Sequence, residues 1–189
     1  MNRFAKALAT MLAAGTMAQA GLAQASGLDR RVEIQQIGYG NSVRTSQDGA
    51  DDAAAVLQQQ GDGQFAEVAQ AGPGRNLLTA EAGGAGHALA ADQFAATGGI
   101  NVAVVNQQGT GNSAILEQSA TAAGVNEIRL AQLGNDNSAT LVQQGQDNSI
   151  DLTQENDANQ ALIAQYGAGM AIALTQIGGG AIANTQTGP

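Results

Sequence analysis

Glutamine recurs at Gln132, Gln143 and Gln154, every eleventh residue, in the stretch QLGNDNSATLVQQGQDNSIDLTQ. A primary amide neither titrates near neutral pH nor attacks carbon. It donates and accepts hydrogen bonds. A row of amides at one spacing is therefore hydrogen-bonding chemistry between like groups. The step of eleven continues to Gln165 and Gln176. It recurs upstream from Gln36 to Gln47, Gln47 to Gln58, Gln59 to Gln70 and Gln107 to Gln118. Two steps are fourteen, Gln93 to Gln107 and Gln118 to Gln132. Asn stands six residues before the closing Gln at Asn41, Asn101, Asn112, Asn126, Asn137, Asn148 and Asn159.

Other reactive groups are sparse. His87, in GGAGHALA, is the only histidine, and there is no cysteine. It has no second imidazole or thiolate with which to complete a metal site. One histidine in a turn-like stretch also supports no Ser-His-Asp set. Asp51-Asp52 has the look of a carboxylate pair but falls in a turn, where it serves solubility. The glycine-rich stretches lack the Lys-Ser/Thr of a phosphate loop and the Gly-Gly-x-Gly-x-Asp repeat of calcium rolls. Tyr39, Tyr166, Phe65 and Phe94 are too few for a base-stacking platform. No catalytic, cofactor-binding or metal residue is expected, and no small-molecule substrate.

The amides need strands to position them. In SATLVQ, Ala139, Leu141 and Gln143 share one face, and Ser138, Thr140 and Val142 the other. In SIDLTQ, Ile150, Leu152 and Gln154 oppose Ser149, Asp151 and Thr153. In EIRLAQ, Ile128, Leu130 and Gln132 oppose Glu127, Arg129 and Ala131. This is the period of two of a half-buried strand, with Gln on the apolar face. After each Gln comes x-Gly-x-x-Asn, a tight-turn signal. Strand and turn of about eleven residues close a rung of roughly 22, and fourteen strand-like segments make about seven rungs. The expected fold is all-β: a β-solenoid with two parallel, in-register sheets, about 34 Å tall at ~4.8 Å per rung. Stacked rungs place each Gln over the Gln below, so buried amides satisfy one another in ladders. Such a stack has open ends that favour adding another copy of the same fold.

Composition agrees. The chain has 189 residues with 26 Gly, 2 Pro, no Trp and 3% aromatics, too little bulk for an ordinary core. Charged residues are only 12%, so it is not a charge-expanded disordered chain. Residues 1–25 read as a secretory signal peptide, helical or disordered. Arg3 and Lys6 precede an Ala-rich apolar run ending in Ala18-Gln19-Ala20 and Ala23-Gln24-Ala25. Cleavage is expected after Ala25, with Ala20 the alternative and a membrane anchor the competing reading. The domain is then 26–189, in which five Arg face sixteen acidic residues, a net charge of −11. That argues against nucleic acid and against anionic lipid as partners.

The pattern Gln-x-Gly-x-x-Asn-x-Ala-x-x-x-Gln resembles the curlin repeat of curli fibre subunits. QQGTGNSAILEQ (Gln107 to Gln118) and QLGNDNSATLVQ (Gln132 to Gln143) carry every position. QIGYGNSVRTSQ (Gln36 to Gln47) departs only at Val43. The resemblance implies a secreted functional amyloid on the outer surface of a Gram-negative bacterium, acting in adhesion, aggregation and biofilm matrix. It also implies self-assembly with other curlin subunits, a major one templated by a nucleator. An outer-membrane export pore and a periplasmic chaperone follow from the same resemblance.

The middle departs from the pattern. Glu81 and Asp92 fall at Gln positions, Gly86 at an Asn position, and Pro73 follows Gly72. Residues 73–97 are therefore expected to be a degenerate rung, either by drift or as a weak layer that delays assembly. Glu81, in register, is expected to face the seam. The competing function is a secreted monomeric β-solenoid that binds ice or a glycan through one flat face. Such a face calls for a regular outward ladder, and the outward sets here are irregular.

Overall fold

The computed structural model describes residues 7–13, 18–19, 29–49, 52–121 and 123–189. Two short strands come first, β1 (Ala7–Ala13) and β2 (Ala18–Gln19). Seven strand pairs follow, each pair one rung. They are β3 (Asp29–Ile37) with β4 (Asn41–Asp48), β5 (Asp52–Asp62) with β6 (Phe65–Ala71), and β7 (Arg75–Ala85) with β8 (Ala88–Ala95). Then come β9 (Ile100–Thr110) with β10 (Ser113–Ala120), and β11 (Val125–Asn135) with β12 (Ser138–Gln146). The last two are β13 (Asn148–Glu155) with β14 (Gln160–Ala168), and β15 (Ala171–Ile177) with β16 (Ala181–Thr187). From β3 on, odd strands build a first sheet and even strands a second, each parallel along the stack. The fold is the expected β-solenoid of about seven turns.

The register is one column per residue type. Ile128, Ile150 and Ile172 stack, as do Leu130, Leu152 and Leu174. Leu116, Leu141 and Ile163 form the matching column of the second sheet. Alternation puts these side chains in a thin seam between the sheets, where Leu141, Ile150, Leu152 and Ile163 are buried completely. Ser149, Asp151 and Thr153 point out, as the period of two requires.

The elastic element is one turn of the two. From Gln36 to Gln47, Gln107 to Gln118 and Gln132 to Gln143, the passage from first sheet to second takes eleven residues. The return varies: twelve from Gln47 to Gln59, fourteen from Gln93 to Gln107 and from Gln118 to Gln132, and eleven from Gln143 to Gln154. The shortest return is Asp147 alone, at φ 57°, between β12 and β13. Asp tolerates that left-handed geometry better than most residues.

Two expectations change. Residues 73–97 keep the backbone register of a full layer: β7 pairs in register with β5 and β9, and β8 with β6 and β10. Residues 7–13 and 18–19 are extended strands, not helical or disordered. β1 pairs antiparallel with β4 from Ala7↔Gln47 to Ala13↔Asn41, and β2 pairs antiparallel with β3. The cause is general: the first rung presents open strand edges, and an extended segment satisfies them. Both cleavage sites end at residues outside the described ones.

Candidate functional site

Two columns of buried glutamines run the length of the stack. In the second sheet the column has no gap. Each Nε2 donates to the Oε1 one rung on: Gln47 to Gln70 at 2.8 Å, Gln70 to Gln93 at 2.8 Å and Gln93 to Gln118 at 2.8 Å. It continues from Gln118 to Gln143 at 3.1 Å, Gln143 to Gln165 at 3.0 Å and Gln165 to Gln186 at 2.8 Å. In the first sheet, Gln36 donates to Gln59 at 2.7 Å. After an interruption, Gln107 donates to Gln132, Gln132 to Gln154 and Gln154 to Gln176, each at 2.9 Å.

From Gln93 to Gln176 the second hydrogen of each ladder amide crosses the seam. Gln143 Nε2 donates to Glu127 O at 3.0 Å, Gln165 Nε2 to Ser149 O at 3.2 Å and Gln132 Nε2 to Ser113 O at 2.9 Å. One side chain thus ties rung to rung and sheet to sheet. Those cross-seam bonds also fix which end of the amide faces which way, so every ladder points its Nε2 toward the C-terminal rung.

Asparagines close the turns. Asn112 Nδ2 donates to Gln108 O and to Gly134 O, each at 2.9 Å, while its Oδ1 accepts Asn137 N–H at 3.0 Å. Asn137 Oδ1 accepts Asn159 N–H at 3.0 Å, and Asn41 Oδ1 accepts Gln64 N–H at 3.0 Å. On the opposite corner Asn101 Nδ2 donates to Asn76 Oδ1 at 2.9 Å. There Asn126 Oδ1 accepts Asn148 N–H at 3.3 Å. All these Asn side chains are buried.

Four positions were misread in the sequence. Gln58 is exposed and faces outward, and the ladder residue is Gln59. Glu81 is also exposed, stacked on Gln58 and Asn106, and Ala82 takes the seam position between Gln59 and Gln107. Asp92 points out, and Gln93 carries the ladder. The physical reason is the return turn of twelve residues, one longer than the assumed period, which moves every later side chain to the other face. Leu57, buried two residues before Gln59, and Ala80, buried two before Ala82, carried the correct parity.

His87, not Gly86, holds the Asn position of its rung. It is 2% exposed, between Gln64 and Asn112. Its Nδ1 accepts Asn112 N–H at 3.3 Å, and its Nε2 lies 3.0 Å from Gly83 O. The neutral imidazole with its proton on Nε2 reproduces both duties of Asn: accept the next rung's N–H and donate to the turn carbonyl. The signal was its place two residues before buried Leu89, as Asn112 stands two before buried Ala114. Replacing His87 with Leu leaves a donor and an acceptor unpaired and is expected to destabilise the folded chain by roughly 3 kcal/mol. His87→Asn should stay within about 1 kcal/mol of the parent. Denaturant midpoints of the two variants decide it; equal midpoints would mean that the ring only fills space.

Ala82 breaks the first-sheet ladder. A cavity of about 10 Å³ lies beside it, lined also by Gln59, His87 and Gln107. Ala with His replaces the Gln with Asn found in the following rung. The double change Ala82→Gln with His87→Asn rebuilds that rung and is expected to raise stability by about 1–2 kcal/mol. A denaturant midpoint below that of His87→Asn alone would contradict it.

Among the described residues no Asp, Glu or Arg side chain is buried. Asp52 pairs with Arg75, and Asp51 lies outside the described residues. Among the described residues no group of three or more His, Cys, Asp or Glu side chains could hold a metal.

A family model, the curlin associated repeat, matches residues 126–155 and 145–178. These are the rungs in which both turns take eleven residues, so the sequence period is most regular there. No curated protein matches the chain, and no solved structure does. Repeat, register and fold agree with this match: residues 126–178 carry the curlin associated repeat.

Proposed function

We propose that the chain is a secreted structural subunit of extracellular, curli-like amyloid fibres, with roles in adhesion, aggregation and biofilm matrix. The observation that carries this reading is at the ends of the stack. Gln36 Oε1 and Gln47 Oε1 are buried in the first rung and lack a donor. At the other end Ile172 and Leu174 pack on the core while only partly covered. Open strand edges, an unfilled ladder and a half-covered seam are what a further copy of the same fold supplies. The match of residues 126–178 to the curlin associated repeat supports the same reading, as well as partners of curlin type: a nucleator or major subunit, an export pore and a chaperone. Removal of residues 1–25 fits it too, because β1 and β2 cover the edges of the first rung.

The test compares residues 26–189 with the full chain at neutral pH. The shorter chain is expected to bind amyloid dye and form fibres in electron micrographs, and the full chain to lag. A shorter chain that stays monomeric for days at high concentration would overturn the proposal.

A further inference from the structure

The outer face of the first sheet carries its charges in a pattern. Two columns of outward side chains run along its middle. One holds Arg31, Ala54, Leu77, Val102, Glu127 and Ser149. The other, two residues further along each strand, holds Glu33, Val56, Thr79, Val104, Arg129 and Asp151. The centre is apolar, and Val104 is 43% exposed. On either side of it along the stack lies an ion pair within one strand, Arg31 with Glu33 and Glu127 with Arg129. The columns flanking these two hold Arg75 on one side and Glu81 on the other, in the same rung and both exposed.

This face is complementary to itself. A two-fold axis along the stack, placed between the two middle columns, reverses strand direction and keeps stacking direction. Each residue of one column then meets the residue of the other column in the same rung of a second copy. Arg31 meets Glu33, Glu127 meets Arg129, and Arg75 meets Glu81. Between them Ala54 meets Val56, Leu77 meets Thr79 and Val102 meets Val104. The other acidic side chains described in these strands' outward columns, Asp52 and Asp151, meet Gln58 and Ser149. Every Arg lands on a Glu, and no like charges meet. Each in-strand ion pair and its rotated copy form a square of alternating charge. Two stacks running in opposite directions, with Leu77 on Leu77, would instead set Arg75 on Arg75 and Glu81 on Glu81. The outer face of the second sheet lacks this property. There the same rotation sets Ala90 against Asp92 and Ile115 against Glu117, which desolvates carboxylates without pairing them.

We propose that two filaments of this chain pair through the outer face of the first sheet, side by side and pointing the same way. Arg31, Arg75 and Arg129 of each copy then meet Glu residues of the other and set the register. The inference rests on the fibre reading above and names the face that two filaments share. Facing sheets lie ~10 Å apart, a gap that Arg and Glu side chains span and that the Ala, Val and Leu centre fills. Charge complementarity of this kind selects one arrangement over its neighbours. A slip of one rung along the axis sets Glu127 against Asp151 and Ala54 against Glu33, so the register is specified as well as the face.

Cryo-electron microscopy of the fibres in the preceding test, at low salt, reads the pairing directly. Parent fibres should be paired filaments with a two-fold axis along the fibre and Val102 facing Val104 at the contact. Glu127→Arg sets Arg on Arg in that rung and is expected to lower the fraction of paired filaments about tenfold. Because the side chain points outward, seeded elongation of the same variant should stay within about twofold of the parent. Adding Arg129→Glu to Glu127→Arg restores the alternating square, and pairing should return to within about twofold of the parent. Glu127→Arg fibres paired as often as the parent, or a double variant that stays single, would overturn the assigned contacts. Filaments paired through the second sheet, or running in opposite directions, would overturn the face or the polarity. A parent that grows only as single filaments would overturn the inference and leave the fibre reading in place, whereas a parent without fibres would overturn both.

Discussion

Leu141→Asp is expected to abolish assembly of residues 26–189 at neutral pH. Leu141 is 0% exposed, stacked between Leu116 and Ile163. Truncating such a side chain costs roughly 2–5 kcal/mol, and an unpaired carboxylate adds its desolvation. The total rivals the whole stability of a domain this size, about 5–15 kcal/mol. Burial disfavours the charged form, so the introduced carboxyl binds its proton more tightly folded than unfolded. The penalty therefore shrinks as pH falls toward the ordinary carboxyl range near ~4 and grows as pH rises above it. Fibre yield against pH is the measurement: none near pH 7, partial recovery in acid. Thr140→Ala, outward on the same strand, should change stability by no more than about 0.5 kcal/mol. Full yield from Leu141→Asp at neutral pH would mean that the seam is not closed.

The second large effect is expected at Gly84. Its φ is +122°, and a Cβ there would sit 1.8 Å from Gly109 O of the next rung. Neither party can move, because both are backbone in a stacked column with Gly61. Gly84→Ala must break the stack at that corner, a loss of about 3 kcal/mol or more from strain and lost ladder bonds. Gly63, one rung earlier, has φ +66° and nothing within 4 Å of its added Cβ. Its column already holds Asp136 at φ 55° and Ala158 at φ 58°, so Gly63→Ala should cost only about 1 kcal/mol. Hydrogen exchange on the folded chain compares them. Gly84→Ala should expose residues 75–110, whereas Gly63→Ala should resemble the parent. Equal protection would show that the turn carbonyls are not in close stack.

Much of this architecture was legible because the signal is redundant. Ala139, Leu141 and Gln143 report one face three times, and the same count repeats in the next strand. Turns were legible through Gly and Asn, whose backbone preferences are local. What escaped was a matter of one residue. The run Gln58-Gln59-Gln60 accepts either parity, and counting by eleven chose Gln58, whereas Leu57 points to Gln59. The same slip turned outward-facing Glu81 into a seam residue and hid Ala82. His87 was passed over as a lone imidazole because metal chemistry needs company. Its duty here is that of an amide, which only the register reveals. The pairing of β1 with β4 had no sequence signal, since it uses backbone groups that every extended segment carries.

The central claim is that one solenoid continues through the joints between copies, so each copy contributes seven layers to the fibre. The helical rise per subunit, measured by cryo-electron microscopy on fibres of residues 26–189, tests it most directly. Seven layers at ~4.8 Å give a rise of about 34 Å per copy. A rise near ~4.8 Å, with each copy lying flat as a single layer, would contradict the account.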